Sequence, residues 1–150
     1  MDITKLPNKI LNKRVEKVSV DDIKNGSLEE LILEMKNAMQ EYHGVGLAAN
    51  QTGRDLSVFI IEPKLAEESN LPEVYINPEI TEYSRDDDEM EEGCLSIPDY
   101  FIPVKRAKNI KIKFINQRGE KMKLKVKGFA ARVLQHETDH LYGLTIKNRK

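Results

Sequence analysis

Two segments near the end of the 150-residue chain alternate regularly between basic and apolar side chains. In residues 109–116 two lysines alternate with isoleucine and phenylalanine, and in residues 121–127 four lysines alternate with methionine, leucine and valine. Successive side chains of a strand point to opposite faces, so the pattern predicts two strands that each bury one face and expose the other. The connecting residues 117–120 (QRGE) provide a turn. We therefore predict an antiparallel hairpin whose apolar face must be covered by other parts of the chain.

A helix is predicted on each side of the strand-rich part of the chain. Ser27 and Glu30 form an S-x-x-E capping box, and the apolar residues from Leu28 onward recur at three- and four-residue spacing as far as His43. A second helix is predicted from about residue 129 to 142, closed by Gly143.

The remaining segments complete the prediction of an α+β fold. Residues 1–26 are interpreted as an irregular arm, and short strands are expected at 57–62, 73–77 and 80–83. The order of helix, strands and helix is typical of an α+β domain. Since no repeat, linker or change of composition divides the chain, we predict a single domain over residues 1–150.

The composition excludes several classes of protein. The single cysteine, Cys94, cannot form an internal disulfide, which excludes a small disulfide-stapled secreted domain. With 24 basic and 25 acidic residues the net charge is -1, so no overall field draws the chain onto nucleic acid or anionic lipid. No apolar run approaches the roughly 20 residues of a membrane helix, and the N-terminal segment has no apolar region of a secretory signal. We therefore expect a cytoplasmic protein without a membrane partner or a sequence-specific nucleic-acid partner.

The charges are nevertheless unevenly distributed. Acidic residues dominate the segment 86–92. Positions 101–127 contain ten basic residues and only one acidic residue, Glu120. One interpretation is a solvated acidic loop followed by the wet face of the hairpin, because charge runs are usually solvated surface. The alternative is a basic surface that faces RNA or the ribosome.

The second helix carries the pattern H-E-x-x-H at positions 136–140. Residues four apart share one helical face, so His136 and His140 can bind one metal ion while Glu137 stands beside it. The alternative is a pair of surface or packed histidines on an amphipathic helix.

A catalytic divalent site of this kind needs a third protein ligand. The ten residues after His140 (LYGLTIKNRK) contain no His, Asp, Glu or Cys, so the ligand has to come from upstream. Cys94 is the best candidate, while His43 and the acidic segment have less to recommend them. The alternative is that Cys94 is a small buried hydrophobic residue, as an isolated cysteine more often is.

Residues 44–51 (GVGLAANQ) form a third candidate segment. Two glycines and two alanines permit close backbone approach, and Gln51 offers a side-chain N–H donor. Taken alone, the segment also suits a turn from helix to strand.

Together, GVGLAANQ, EGCLS at 92–96 and QHETDH at 135–140 resemble the three sequence motifs of the peptide deformylases. INPEI at 76–80 and the hairpin before the last helix are also similar, so the resemblance covers roughly residues 5–145. It implies small antiparallel sheets packed around a central metal-binding helix. It also implies a metal-dependent hydrolase that removes the formyl group from N-formylmethionine of nascent polypeptides and releases formate.

The resemblance assigns expected roles to individual residues. Its metal ligands would be Cys94, His136 and His140. The ion would be Fe(II) in the cell, with Zn(II) or Ni(II) possible in purified protein. Glu137 would move the proton, and the side chain of Gln51 and the backbone N–H of Leu95 would stabilise the oxyanion.

Expected substrate contacts follow from the same resemblance. Gly46 would pair with the substrate backbone, Val45 would flank the entrance, and Val133 would line the methionine pocket. Glu92 and Gly93 would position the Cys94 loop. Gln135 and Asp139 are expected to be structural, or to provide acceptors for the second nitrogens of the histidines.

Two features depart from the family pattern. Arg132 stands where the family usually has an apolar residue near the methionine pocket. We expect it to point outward, with a less apolar pocket as the alternative. The sequence also reaches only ten residues beyond His140, whereas typical bacterial members continue into a helix that docks on the ribosome. Ribosome association would then be absent or would use the lysine face of the hairpin.

Two other functions remain to be compared with this one. A small zincin-type endopeptidase is disfavoured by the missing downstream ligand and by a glycine-alanine loop suited to a very small acyl group. An RNA- or ribosome-binding module with structural histidines would explain the lysine hairpin but would leave the three motifs as coincidence. We expect a monomer whose partner is an N-formylmethionyl peptide or nascent chain.

Overall fold

The computed structural model describes residues 2–149 and contains two antiparallel sheets. The strands are β1 (Gly46–Ala48), β2 (Val58–Ile61), β3 (Val74–Tyr83), β4 (Asp87–Cys94), β5 (Ile97–Ala107), β6 (Asn109–Ile115) and β7 (Lys121–Lys127). Five of them form one sheet in the order β1-β2-β3-β6-β7, and β4 and β5 pair separately. The helices are α1 (Val20–Lys24), α2 (Glu29–Glu41), α3 (Pro63–Glu68) and α4 (Gly128–Leu141).

The five-stranded sheet is buried on both faces around β2. Phe59 and Ile61 belong to an apolar cluster that includes Ala131 and Leu134 of α4. Val58 and its neighbours of the same face belong to a second cluster with the apolar side chains of α2. Because strand side chains alternate between faces, a strand covered by helices on both sides must be apolar throughout, as VFII is.

Helix α4 occupies the centre of the molecule. It contacts every strand of the five-stranded sheet and also β5. The prediction of an α+β fold around a central helix is therefore confirmed, and the bounds of this helix lie within one residue of those expected. No helix within residues 2–149 is long and apolar enough to span a membrane.

The lysine-rich hairpin is confirmed. Strands β6 and β7 pair from Asn109 opposite Lys127 to Ile115 opposite Lys121. Gly119 adopts a φ of 86° in the turn, a left-handed conformation that glycine accommodates without strain. The apolar side chains of both strands pack toward α4, and the lysines face outward.

The N-terminal part differs from the prediction in two respects. The supposed irregular arm contains a 3₁₀ turn at Lys9–Asn12 and the short helix α1. The capping box at Ser27 does not form: α2 begins at Glu29, and the Ser27 hydroxyl donates instead to Asn25 Oδ1. The nearby Asn25 carboxamide competes successfully for that hydroxyl, as short polar side chains do in turns.

The two short strands expected around Pro78 are one continuous strand, β3. Its register with β6 shifts at this point, and Asn77 has a φ of 49°. The Asn77 carboxamide accepts from the backbone N–H of Val18 and donates to the Val18 carbonyl, both at 2.8 Å. These bonds compensate for the interrupted ladder, so the strand continues through a bulge.

The acidic segment is not a loop. Residues 87–92 lie in β4, paired with β5 from Asp87 opposite Ala107 to Cys94 opposite Ile97. Most of its acidic side chains are exposed, as expected, but Glu92 is buried. The long pairing with β5 brings the end of β4, and with it Cys94, against α4.

Candidate active site

Three potential metal ligands converge between the end of β4 and helix α4. One donor atom from each of Cys94, His136 and His140 lies within 4.8 Å of the others, and Cys94 Sγ is 3.2 Å from His140 Nε2. Within residues 2–149 this is the one cluster of three such ligands, and neither His43 nor the exposed acidic residues of β4 belong to it.

The chemistry of this donor set fits a divalent transition metal. A thiolate with two imidazoles suits Fe(II), Zn(II), Ni(II) or Co(II), and three protein ligands leave a position for water or substrate. Burial, together with the nearby His136 and Arg106 charges, lowers the pKa of His140 well below its ordinary value and keeps this imidazole neutral. Burial also opposes a charge on His136, but hydrogen bonds with Cys94 and Glu92 raise its pKa to about 10. A cation bound by His136 Nε2 would displace the second proton of this imidazole.

Glu137 is the titratable group beside this cluster. The residue is 4% exposed, and its Oε1 has no hydrogen-bond partner among the described residues. Burial raises the pKa of Glu137 to about 7, despite the positive charges of His136 and Arg106 nearby. A carboxyl group with a pKa near neutrality can both accept and return a proton.

Gly46 provides the space that Glu137 occupies. A Cβ on residue 46 would lie 2.7 Å from Glu137 Oε2 and 2.9 Å from its Cγ. Only glycine therefore allows β1 to approach the carboxylate this closely.

Gln51 lies in the 3₁₀ helix Ala49–Thr52 that follows β1. Its Oε1 accepts from the backbone N–H of Ala48 at 3.0 Å, which fixes the orientation of the amide. Its Nε2 donates to Ser96 Oγ at 3.1 Å and is 3.5 Å from Cys94 Sγ. The segment GVGLAANQ thus contains a short strand and a 3₁₀ helix that place the Gln51 N–H donor beside the cluster.

A cavity of about 630 Å³ opens onto this arrangement. It is lined by Cys94, His136 and the expected catalytic residues Gln51, Leu95 and Glu137. The residues expected to contact the substrate also line it: Val45, Gly46, Glu92, Gly93, Arg132 and Val133. Exposed apolar side chains also line the cavity, among them Met90, Phe101 and Phe129. A larger groove of about 770 Å³ between α3 and the ends of β6 and β7 contains none of the candidate catalytic residues.

Arg132 does not point outward, so that expectation is wrong. Its side chain is 5% exposed, and its guanidinium donates to the Glu92 carboxylate and to the Val104 carbonyl. It also donates to the backbone and side chain of Asp88. The buried Glu92 carboxylate attracts the guanidinium inward, because a buried charge requires a partner.

Arg106 is the site residue that the sequence did not reveal. It donates to both oxygens of Glu92, at 3.0 and 2.9 Å, and to Asp139 Oδ2. Burial opposes a charge on Glu92, but hydrogen bonds from His136 and Arg106 hold the pKa of its carboxyl far below the usual range. The spacing of two residues between Val104 and Arg106 could have revealed it, because both then lie on the inward face of β5. A basic residue on that face needs an acidic partner.

Asp139 and Gln135 have structural contacts, as expected, but neither serves a ligand histidine. Asp139 binds Arg106 and Arg149, and Gln135 binds the backbone of Ala107. The acceptor for His136 Nδ1 is Glu92 Oε1, at 3.0 Å.

The fold and the cluster of three potential metal ligands are those expected of a metallohydrolase. The sequence profile of the family described as polypeptide deformylase matches residues 1–150. The chain therefore belongs to the peptide deformylase family, whose members remove the N-formyl group from nascent chains. The predictions of the family, the fold class and a hydrolytic enzyme are confirmed.

Similar proteins cover nearly the whole chain. The peptide deformylase of Aquifex aeolicus is 44% identical over 149 residues, which are 99% of this chain and 86% of that protein. The crystal structure of peptide deformylase from Thermotoga maritima has a TM-score of 0.88 and 39% identity, covering 98% of this chain and 95% of that one. A Met-Ala-Ser-bound class I type b peptide deformylase from Acinetobacter baumannii has a TM-score of 0.90 and 35% identity, covering 100% and 98%.

Proposed function

We propose that the chain removes the formyl group from N-formylmethionyl peptides and nascent chains as a single catalytic domain over residues 1–150. The observation that carries this proposal is the convergence of three distant sequence segments on one cavity. Gln51, Cys94 and the pair of histidines flanking Glu137 come from a 3₁₀ helix, a strand end and a helix. We further propose a monomer in the cytoplasm, since one chain supplies every group of the site.

The metal would be held by Cys94, His136 and His140. We propose Fe(II) in the cell, with Zn(II) or Ni(II) in purified protein. When bound, such a cation supplies Lewis acidity, which lowers the pKa of water and polarises a carbonyl oxygen.

Glu137, Gln51 and Leu95 would provide proton transfer and oxyanion stabilisation in the reaction. Glu137 would take a proton from the attacking water while the water oxygen forms a bond to the formyl carbon. The resulting oxyanion would be stabilised by the Gln51 side-chain N–H and the Leu95 backbone N–H. When the C–N bond breaks, Glu137 would return the proton to the leaving amine, so the products are formate and a free N-terminus.

The substrate would add to the open edge of the main sheet. Strand β1 pairs with β2 on one side only, so Gly46 can offer its backbone to an extended peptide. Val45, which is 40% exposed, would flank the entrance, and the buried Val133 would line the methionine pocket. Gly93 would hold the Cys94 loop while the Phe101 ring packs against it, since a Cβ there would lie 2.3 Å from Phe101 Cε1.

Formate release tests this proposal directly. Protein purified without oxygen should contain about one tightly bound metal ion per chain and release formate from formyl-Met-Ala-Ser. Acetyl-Met-Ala-Ser is the matched control, because the added methyl group should not fit a site built for formyl. The absence of formate release from metal-replete protein would overturn the proposed function.

The outer face of the hairpin supports a second proposal, association with the ribosome through RNA phosphates. Lys111 and Lys113 of β6 pair with Glu82 and Glu79, at 2.9 and 3.3 Å. Strand β7 forms an edge of the sheet and carries Lys121, Lys123, Lys125 and Lys127. Within the described residues, no ion pair joins these lysines to an acidic residue. These unpaired charges complement a phosphate backbone.

Changing Lys123 and Lys125 together to glutamine should weaken co-sedimentation with ribosomes. Loss of two phosphate contacts should flatten the slope of log K against log salt by about 1.5. The matched control changes Lys111 and Lys113 to glutamine, which alters the net charge equally on the same face. Equal pelleting of both variants and the wild type would contradict this proposal.

A further inference from the structure

We propose that Arg132 is a positioning residue for the metal centre, acting with Arg106 through the Glu92 carboxylate on His136. The proposal rests on the metal-binding role proposed above for His136. It assigns to Arg132 a function other than contact with the substrate.

The Glu92 carboxylate is saturated by hydrogen bonds from three side chains. Its Oε1 accepts from Arg106 Nη2 at 2.9 Å and from His136 Nδ1 at 3.0 Å. Its Oε2 accepts from Arg106 Nε at 3.0 Å and from Arg132 Nη1 at 2.5 Å. With its side chain only 8% exposed, Glu92 cannot turn toward water without breaking these bonds.

This geometry determines which nitrogen of His136 faces the site. An ionised carboxylate only accepts hydrogen bonds, so His136 Nδ1 must carry the proton that it donates. Nε2 is then the nitrogen left to bind a metal ion. His140 differs, because its buried Nδ1 has no partner among the described residues.

Arg132 connects helix α4 and the Glu92 carboxylate to strands β4 and β5. It lies four residues before His136, so both side chains share one face of α4. Besides Glu92, its guanidinium donates to the Val104 carbonyl of β5 at 2.9 Å and to the Asp88 carbonyl of β4 at 2.9 Å. One planar fork thus connects α4, β4 and β5 around the carboxylate, which an apolar side chain or a lysine cannot do.

The far end of the same charged cluster provides an internal control. Arg149 donates to both oxygens of Asp139, which also accepts from Arg106, but Arg149 does not contact Glu92. If the cluster only stabilised the fold, loss of either arginine would act through stability alone. If Arg132 positions Glu92, its loss should act on His136 specifically.

The experiment measures Zn(II) affinity by competition with a chelator for wild type, Arg132→Met, Arg132→Lys and Arg149→Met. Loss of an outer-shell partner should weaken Zn(II) binding by about 10- to 100-fold in Arg132→Met. Arg132→Lys should show a smaller loss in the same direction, and Arg149→Met should bind as the wild type does. In the NMR spectrum of the Zn(II)-loaded protein, the His136 Nδ1–H resonance should persist in Arg149→Met and exchange faster with solvent in Arg132→Met.

The outcomes separate this inference from the proposed function. Wild-type affinity in Arg132→Met overturns the inference, as does an equal loss in Arg149→Met. If Arg132→Met does not fold, Arg132→Lys decides: unchanged affinity and an unchanged His136 resonance overturn it. Failure of the wild type to bind Zn(II) would instead count against the metal site itself.

Discussion

Replacing Glu137 by alanine is expected to lower kcat for formate release by about 10²- to 10⁴-fold, the usual contribution of a positioned acid or base. Glu137 is expected to carry the proton in both directions, and its burial places the pKa of this carboxyl at about 7. The ligand atoms of Cys94, His136 and His140 are untouched by the change, so the metal content should stay near one ion per chain. The measurement pairs steady-state formate release with elemental analysis of the same sample.

Two further variants make this expectation specific. Glu137→Gln keeps the shape of the side chain but removes its basicity, and it should lose nearly as much kcat as the alanine variant. Glu91→Ala is the matched control, because Glu91 lines the same cavity but is exposed. A Glu137→Ala enzyme that keeps more than a tenth of the wild-type kcat would show that another group moves the proton.

The elements that the sequence predicts well are those whose signal is local. Alternation in residues 109–127 defines β6, β7 and the turn at Gly119, because each strand covers one face and exposes the other. The continuous apolar run VFII indicates a strand buried on both faces. The apolar periodicity of α4 and the glycine after it define that helix to within one residue.

The β4–β5 hairpin is not predictable in the same way. Its first strand reads DDEMEEGC, in which acidic residues suggest a solvated loop. The stabilising contacts are non-local: the buried carboxylate of Glu92 meets Arg106 from the partner strand and Arg132 from a helix 40 residues later in the chain. A single sequence does not show that Arg106, in a basic stretch, and Arg132, in an apolar one, face inward toward the same acid.

In the candidate site, too, the sequence predicts the local arrangement and not the contacts between distant segments. H-E-x-x-H places two ligands and a carboxylate on one helical turn, so spacing alone predicts their proximity. The role of Cys94 depends on the resemblance, since spacing leaves His43 and the acidic residues as alternatives. The fit between Gly46 and Glu137 joins residues 91 positions apart, and only the fold shows it.

Replacing Gly46 by alanine is expected to lower kcat by about 10²-fold, a typical result of displacing a reacting group by about 1 Å. The new Cβ would lie 2.7 Å from Glu137 Oε2 and 2.9 Å from Cγ, so the enclosed carboxylate must leave its present position. Gly44→Ala is the control, because a Cβ there meets mainly the end of the Leu95 side chain at 3.0 Å, which can shift. Formate release and thermal unfolding of both variants distinguish a local effect from loss of the fold.

Gly46 could also act through the substrate, since its backbone lies on the open edge of β1. A double-mutant cycle separates the two effects, because changes that act through one group are not additive. If Gly46→Ala acts by displacing the carboxylate, it should cost almost nothing further in the Glu137→Ala background, where no carboxylate remains. An equal loss in both backgrounds would mean that residue 46 acts on peptide binding alone, and KM would then rise while the proton transfer stayed intact.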